Sequence, residues 1–277
     1  MNKNMLIHPE IVKEKLAKLN ITDMNKASIR EVVQVVDMIE EETGVKYVRM
    51  EMGVPGLPPS HFGVEAEIDA LKKGVASIYP NINGIPELKT EAAQFVKNFM
   101  NIDVNPENCV PSTGSMQGTY ALFQVASGCD ENKDTALFID PGFPVQKHQF
   151  VMIGSKFESF DVFHFRGEKL REKLESYFSK GNIHSVIYSN PNNPTWVCLT
   201  DEELKIIAEC ADKYDVIVME DLAYFGMDFR HDFSKPGIPP YQASVANYTN
   251  NFVLFISASK IFSYAGQRIS VVVMSDK

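Results

Sequence analysis

Apolar positions return along this chain in two rhythms. After Ser28, residues Ile29, Val32, Val33, Val36 and Ile39 recur every three or four positions, the spacing of one helix face. Ser28 and Glu31 have the spacing of a capping box that opens this helix, and Glu40, Glu41 and Glu42 turn its end acidic. Further on, apolar residues come in short unbroken runs: Ala136 to Ile139, Val186 to Tyr188, Val216 to Met219, Phe252 to Ile256 and Ile269 to Met274. Runs of that length read as buried strands. Amphipathic stretches lie between them. Pro86 suits the first turn of a helix ending near Met100. Thr113-Gly114-Ser115 opens a helix to about Ala126, and Thr200 with Glu203 opens another to about Tyr214. A helix is expected near Glu65 to Ser77. Tyr47 to Met52 alternates like a short strand, and Gly53 to Pro59 reads as a loop or hinge. The alternation predicts an α/β fold with a mostly parallel sheet sandwiched by helices. In such sheets ligands sit at the carboxyl ends of the strands.

Composition narrows the picture. The chain has 277 residues, 44% of them hydrophobic, enough for one large domain or for a large and a small one. A net charge of -9 argues against nucleic acid as a general partner, because a phosphate backbone attracts a basic face. It leaves room for a local pocket that binds a single phosphate. Cys109, Cys129, Cys198 and Cys210 form no C-x-x-C pair, and the six histidines show no ligand spacing. Reduced thiols of a cytoplasmic protein are expected, with no metal site. The opening Met1-Asn2-Lys3-Asn4-Met5 is polar, unlike a leader, and the longest apolar runs have strand length, so no membrane span is expected.

The most telling chemistry is Ser257-Ala258-Ser259-Lys260, with Arg268 eight positions on. The lysine closes an apolar strand. An ammonium at such a point is partly desolvated, which lowers its pKa and leaves an amine able to attack a carbonyl. Arg268 adds a cation that can hold a phosphate in a bidentate way. A Schiff-base lysine beside a phosphate site suggests pyridoxal 5′-phosphate. The stretch resembles the lysine signature of the class I/II aminotransferases, enzymes of fold type I, with Tyr264 where that signature prefers an aliphatic residue and Ser270 where it prefers Gly or Ala.

Other pieces fall in the order of that family. Asp221-Leu222-Ala223-Tyr224 resembles its D-x-A-Y, which implies that Asp221 pairs with the protonated pyridine nitrogen and Tyr224 donates to the phenolic oxygen. Asn193-Pro194-Thr195 looks like its N-P-T element and implies a second donor, Asn193, to the same oxygen; the family continues with Gly where this chain has Trp196. The turn at Gly114, Ser115 and Met116 implies a phosphate site at a helix start, completed by Ser257, Ser259 and Arg268. Phe143 matches the aromatic that stacks on the cofactor ring. Tyr79 is similar to the tyrosine that reaches across a homodimer to the partner's phosphate. Gly53 resembles the glycine whose backbone lies near the substrate carboxylate.

The resemblance implies residues 1–63 as an N-terminal arm with part of a small domain, and residues 64–277 as the cofactor-binding large domain. Family members run on well beyond the nine residues that follow Arg268, and their carboxylate-binding arginine lies there. The implied activity is amino transfer between an L-amino acid and a 2-oxo acid through a Lys260 Schiff base. Asp221 and Tyr224 support it, and amino acid metabolism is the setting. The same motifs also serve β-elimination by carbon–sulfur lyases of this fold. A non-catalytic cofactor-sensing module ranks lower, since no basic helix-turn-helix pattern precedes the large domain.

Overall fold

The computed structural model describes residues 8–277. The polar opening Met1 to Met5 lies outside them. The chain separates into two compact units, Met1–Val54 and Pro55–Lys277. The second unit therefore takes in residues 55–63, which the sequence reading places with the arm.

The first unit holds α1 (Pro9–Lys18) and α2 (Ile29–Thr43). The expected capping box opens α2: Ser28 Oγ accepts from Glu31 N at 3.3 Å, and Glu31 Oε2 accepts from Ser28 N at 2.6 Å. Val35 and Ile39 are buried on α2, whereas Ile29 is exposed. The strand expected at Tyr47 to Met52 does not form. A strand needs a neighbour for its backbone groups, and no strand among the described residues pairs with this segment. Ion pairs hold it instead, from Arg49 to Asp37 and Glu51.

In the second unit, α3 (His61–Lys72) and α4 (Pro86–Met100) precede a seven-stranded sheet. Its strands are β1 (Cys109–Thr113), β2 (Thr135–Asp140), β3 (Lys156–Asp161), β4 (Ile183–Ser189), β5 (Ile217–Asp221), β6 (Phe252–Ser257) and β7 (Ile269–Met274). Their order is β1-β7-β6-β5-β4-β2-β3. Only β7 runs antiparallel, against both β1 and β6, so β1 points the same way as the rest. The connecting helices are α5 (Ser115–Gly128), α6 (Pro144–Ile153), α7 (Glu168–Phe178), α8 (Asp201–Tyr214) and the short α9 (Ala258–Ile261).

Alternation along each strand divides the core between two faces. Leu137, Ile139, Val186, Val218 and Leu254 pack with Val96 and Met100 of α4, Leu170 and Leu174 of α7, and Leu204 and Ile207 of α8. Ala136, Phe138, Ile187, Met219 and Phe255 pack on the other face with Phe123 of α5 and Phe150 of α6. Both faces being covered, the strands read as unbroken apolar runs. Asp221 has the parity of Met219 and lies on the α5/α6 face; Glu220 has the opposite parity. β5 continues through both acids, past the Met219 at which its apolar run ends.

Candidate active site

β1, β2, β4, β5 and β6 all finish at one edge of the sheet. The register sets Ser189 beside Asp221, Asp221 beside Phe255, Ser257 beside Ser270, and Ser270 beside Ser112. Loops leaving those ends therefore gather there. They carry Gly114, Ser115 and Met116 after β1, Phe143 after β2, Asn193 after β4, Tyr224 after β5, and Ser259 and Lys260 after β6. Asp221 and Ser257 are the strand ends themselves, and Arg268 leads into β7 from the same edge.

Gly114 caps α5 at φ 74° and ψ 155°, a conformation that residues with a Cβ rarely adopt. The turn also needs glycine for space, because a Cβ there would lie 2.2 Å from Arg268 Nη2. The guanidinium thus rests against the backbone at the helix start. Arg268 donates from Nη1 to Ala265 O at 2.9 Å and makes no ion pair among the described residues. Ser115 Oγ is buried with no hydrogen-bond partner. Gln149 steadies the turn, donating from Nε2 to Met116 O at 2.9 Å. Across the gap, Ser257 Oγ accepts from Ser259 N at 3.1 Å and so orders the chain that leads to Lys260. A guanidinium, an unpartnered hydroxyl and the first amides of a 14-residue helix form a donor set for a multiply charged anion.

Beside this cradle lie an amine and a carboxylate. Lys260 is half-buried, and loss of hydration holds its ammonium below the usual lysine pKa. Asp221 is buried at 6% exposure. Its Oδ1 accepts from Ala223 N at 3.0 Å and its Oδ2 from Gln146 Nε2 at 2.7 Å. Burial outweighs those bonds and raises the carboxyl to about 6. A cation placed against it would draw it back down. Burial, and then the charge of Asp221, raise the Tyr224 phenol. Glu220, on the opposite face, is pushed up to about 7 by burial. It accepts from Ser244 Oγ at 2.5 Å and Val245 N at 3.1 Å, and ties the loop before β6 to β5.

Asn193 and Phe143 are half-buried at the same edge. Phe143 is the residue just before α6, and the first turn of that helix carries Gln146 to Asp221. Tyr264 and Ser270, the two departures from the lysine signature, have partners of their own. The Tyr264 hydroxyl reaches Glu67 of α3 at 3.5 Å, and Ser270 Oγ meets Ser112 Oγ at 2.6 Å across β7 and β1. Tyr79 is not part of the gathering on its own chain, for its side chain is fully exposed at 100%. Gly53 belongs to the Met1–Val54 unit, in an exposed coil. Gln146 escapes sequence reasoning: its carboxylate partner is 75 positions away, and no local pattern marks the pair. Among the described residues no cluster of His, Cys, Asp and Glu could hold a metal ion, and no helix is long and apolar enough to cross a membrane.

Comparison with known proteins matches residues 45–277 to the family described as aminotransferase class I and II. A putative aminotransferase AatC of Rhizobium meliloti is 28% identical over 244 residues, covering 84% of this chain and 56% of that protein. An aspartate aminotransferase of Pyrococcus horikoshii is 26% identical over 255 residues, covering 90% of this chain and 60% of its own. Among solved structures, a single mutant of Thermus thermophilus aspartate aminotransferase superposes with a TM-score of 0.76 at 21% identity, over 90% of this chain and 62% of that one. An alanine aminotransferase from Pyrococcus furiosus gives 0.75 at 20%, over 88% and 60%. At those identities the structural likeness speaks for the fold alone. The chain spans about 60% of the length of these relatives.

Proposed function

The chain belongs to the class I and II aminotransferase family, and on that premise we propose that it carries the pyridoxal 5′-phosphate site of an enzyme moving an amino group between an L-amino acid and a 2-oxo acid. One observation carries the reading: an anion cradle, a half-buried lysine and a buried carboxylate meet on neighbouring strand ends. The cofactor has a phosphate, an aldehyde and a basic ring nitrogen, and the three features suit those groups in turn. The buried Ser115 hydroxyl without a partner and the Gly114 turn closed by Arg268 favour the phosphate in particular.

When bound, pyridoxal 5′-phosphate supplies an aldehyde for an amine and a ring that accepts the electrons released as the substrate Cα–H bond breaks. The protein's part is to hold and to move protons. Gly114, Ser115, Met116, Ser257, Ser259 and Arg268 are assigned to the phosphate. Asp221 keeps the proton on the ring nitrogen, and Gln146 keeps Asp221 in place. Asn193 and Tyr224 would donate to the phenolic oxygen, and Phe143 is assigned to the ring. Lys260, its amine favoured by desolvation, is the residue that would hold the aldehyde carbon and, once displaced by the substrate, would take the Cα proton as general base. Gly53 is assigned to the substrate carboxylate. A homodimer belongs to the same proposal, supported by a Tyr79 side chain held wholly off its own subunit with Ile82 beside it at 97% exposure. So does a cytoplasmic setting, supported by four free cysteines.

Gly114→Ala puts a methyl group where the Arg268 guanidinium lies and imposes a backbone conformation that costs roughly 1–3 kcal/mol. We expect the dissociation constant for pyridoxal 5′-phosphate to rise about tenfold or more, measured by equilibrium dialysis. Activity is tested with the complete enzyme and a panel of amino acids, each with and without a 2-oxo acid. The proposal expects new amino acid to form only when the oxo acid is present. Release of pyruvate and ammonia from a cysteine conjugate without any oxo acid would overturn it in favour of elimination.

A further inference from the structure

The sequence holds one tryptophan, Trp196, and its backbone is left-handed at φ 61°, a region that bulky residues avoid. Buried Asn192 fixes this conformation. Trp196 N donates to Asn192 O at 2.9 Å, and Asn192 N donates to Val197 O at 2.9 Å. The Asn192 side chain donates from Nδ2 to Pro141 O at 2.7 Å, and its Oδ1 accepts from Thr195 Oγ1 at 2.7 Å. The loop after β4 is thereby tied to the loop after β2.

The turn presents the indole to Tyr224. Their ring centroids are 5.3 Å apart with planes at 70°, an edge-on contact. The indole also stacks on Phe229, at 5.9 Å and 14°. Trp196 is 42% exposed and Phe229 80%, so burial does little to explain why a tryptophan occupies a turn suited to glycine. A strained conformation that the surroundings enforce, beside a candidate site, points to a task there. The Tyr224 hydroxyl has no hydrogen-bond partner among the described residues, which leaves ring contacts to orient it.

We propose that Trp196 is a positioning residue, holding the Tyr224 ring so that its hydroxyl meets the phenolic oxygen of the cofactor. This rests on the role proposed above for Tyr224. An edge-to-face contact restricts ring rotation while leaving the hydroxyl clear, and the stack on Phe229 supports the indole.

The test is the pH midpoint of the visible band of the lysine-linked cofactor in the complete enzyme. A donor to the phenolic oxygen lowers that midpoint, so losing one raises it. Tyr224→Phe is expected to raise it by about one unit, the worth of a hydrogen bond to a charged oxygen. Trp196→Gly suits the local backbone and leaves the fold intact; it is expected to raise the midpoint by about half as much. Trp196→Phe, which keeps a ring, should titrate close to the parent. The double variant Trp196→Gly/Tyr224→Phe should match Tyr224→Phe alone, because residues acting as a unit are not additive. If Trp196→Gly titrates as the parent does while Tyr224→Phe is shifted, or if the two shifts add, positioning by Trp196 is overturned and Tyr224 keeps its role. If Tyr224→Phe itself titrates as the parent does, both assignments fall.

Discussion

Lys260→Ala in the complete enzyme lowers amino transfer by roughly 10⁴-fold or more, the scale of losing a positioned proton-transfer group together with a nucleophile. The expectation follows from where the lysine lies. β6 ends at Ser257, Ser257 caps the short turn that follows, and Lys260 emerges half-buried at the edge where the other strand ends converge. Burial lowers its pKa, so more of it is neutral amine than for a lysine in water. Alanine removes that amine and leaves the Gly114–Arg268 cradle untouched. Cofactor content after gel filtration should therefore fall far less than turnover. Assays of the purified variant for both quantities check the claim, and near-normal turnover would remove Lys260 from the chemistry.

Asp221→Asn has the second largest expected effect. The asparagine keeps the shape and its Oδ1 accepts from Ala223 N as before, but it carries no charge and its amide nitrogen replaces the oxygen that accepts from Gln146 Nε2. The native carboxylate accepts two hydrogen bonds that favour its anion, but burial outweighs them and raises its pKa to about 6. Such a group is poised to pair with a cation brought against it. Removing one partner of a buried ion pair costs about 3 kcal/mol or more, which corresponds to a turnover loss of about 10²-fold. Affinity for the cofactor should change by less than about tenfold, since phosphate contacts dominate it. Stopped-flow and steady-state rates of the variant decide the point; parent-like turnover would mean that Asp221 is a structural acid of the β5 end.

Much of this is legible in the sequence. Capping boxes at Ser28 and Thr200 opened α2 and α8 because their signals are local, three residues apart. The apolar runs became strands because both sheet faces are covered. The motif residues from Gly114 to Lys260 gather at one edge because parallel strands send their following loops the same way, and Arg268 joins them by leading into the antiparallel β7; Tyr79 and Gly53 lie outside that gathering. What stayed hidden depends on distant pairing. The antiparallel course of β7 leaves no mark in its own apolar run. Tyr47 to Met52 alternates like a strand, but alternation cannot supply a neighbour, and charges on Arg49, Asp37 and Glu51 took over. Gln146 reads as any polar residue in the first turn of a helix, and only the packing of α6 beside β5 pairs it with Asp221. Trp196 reads as a departure from a glycine, and nothing local marks its contact with Tyr224.

The central claim is that Lys260 bears the cofactor within the cradle formed by Gly114, Ser115 and Arg268. Borohydride reduction of the protein equilibrated with pyridoxal 5′-phosphate, followed by peptide mass mapping, tests it most directly. The account predicts one stably modified lysine, Lys260, with the modification suppressed by prior addition of excess inorganic phosphate and absent in Lys260→Ala. Labelling of a different lysine, or of none in protein that is folded and cofactor-saturated, would contradict it.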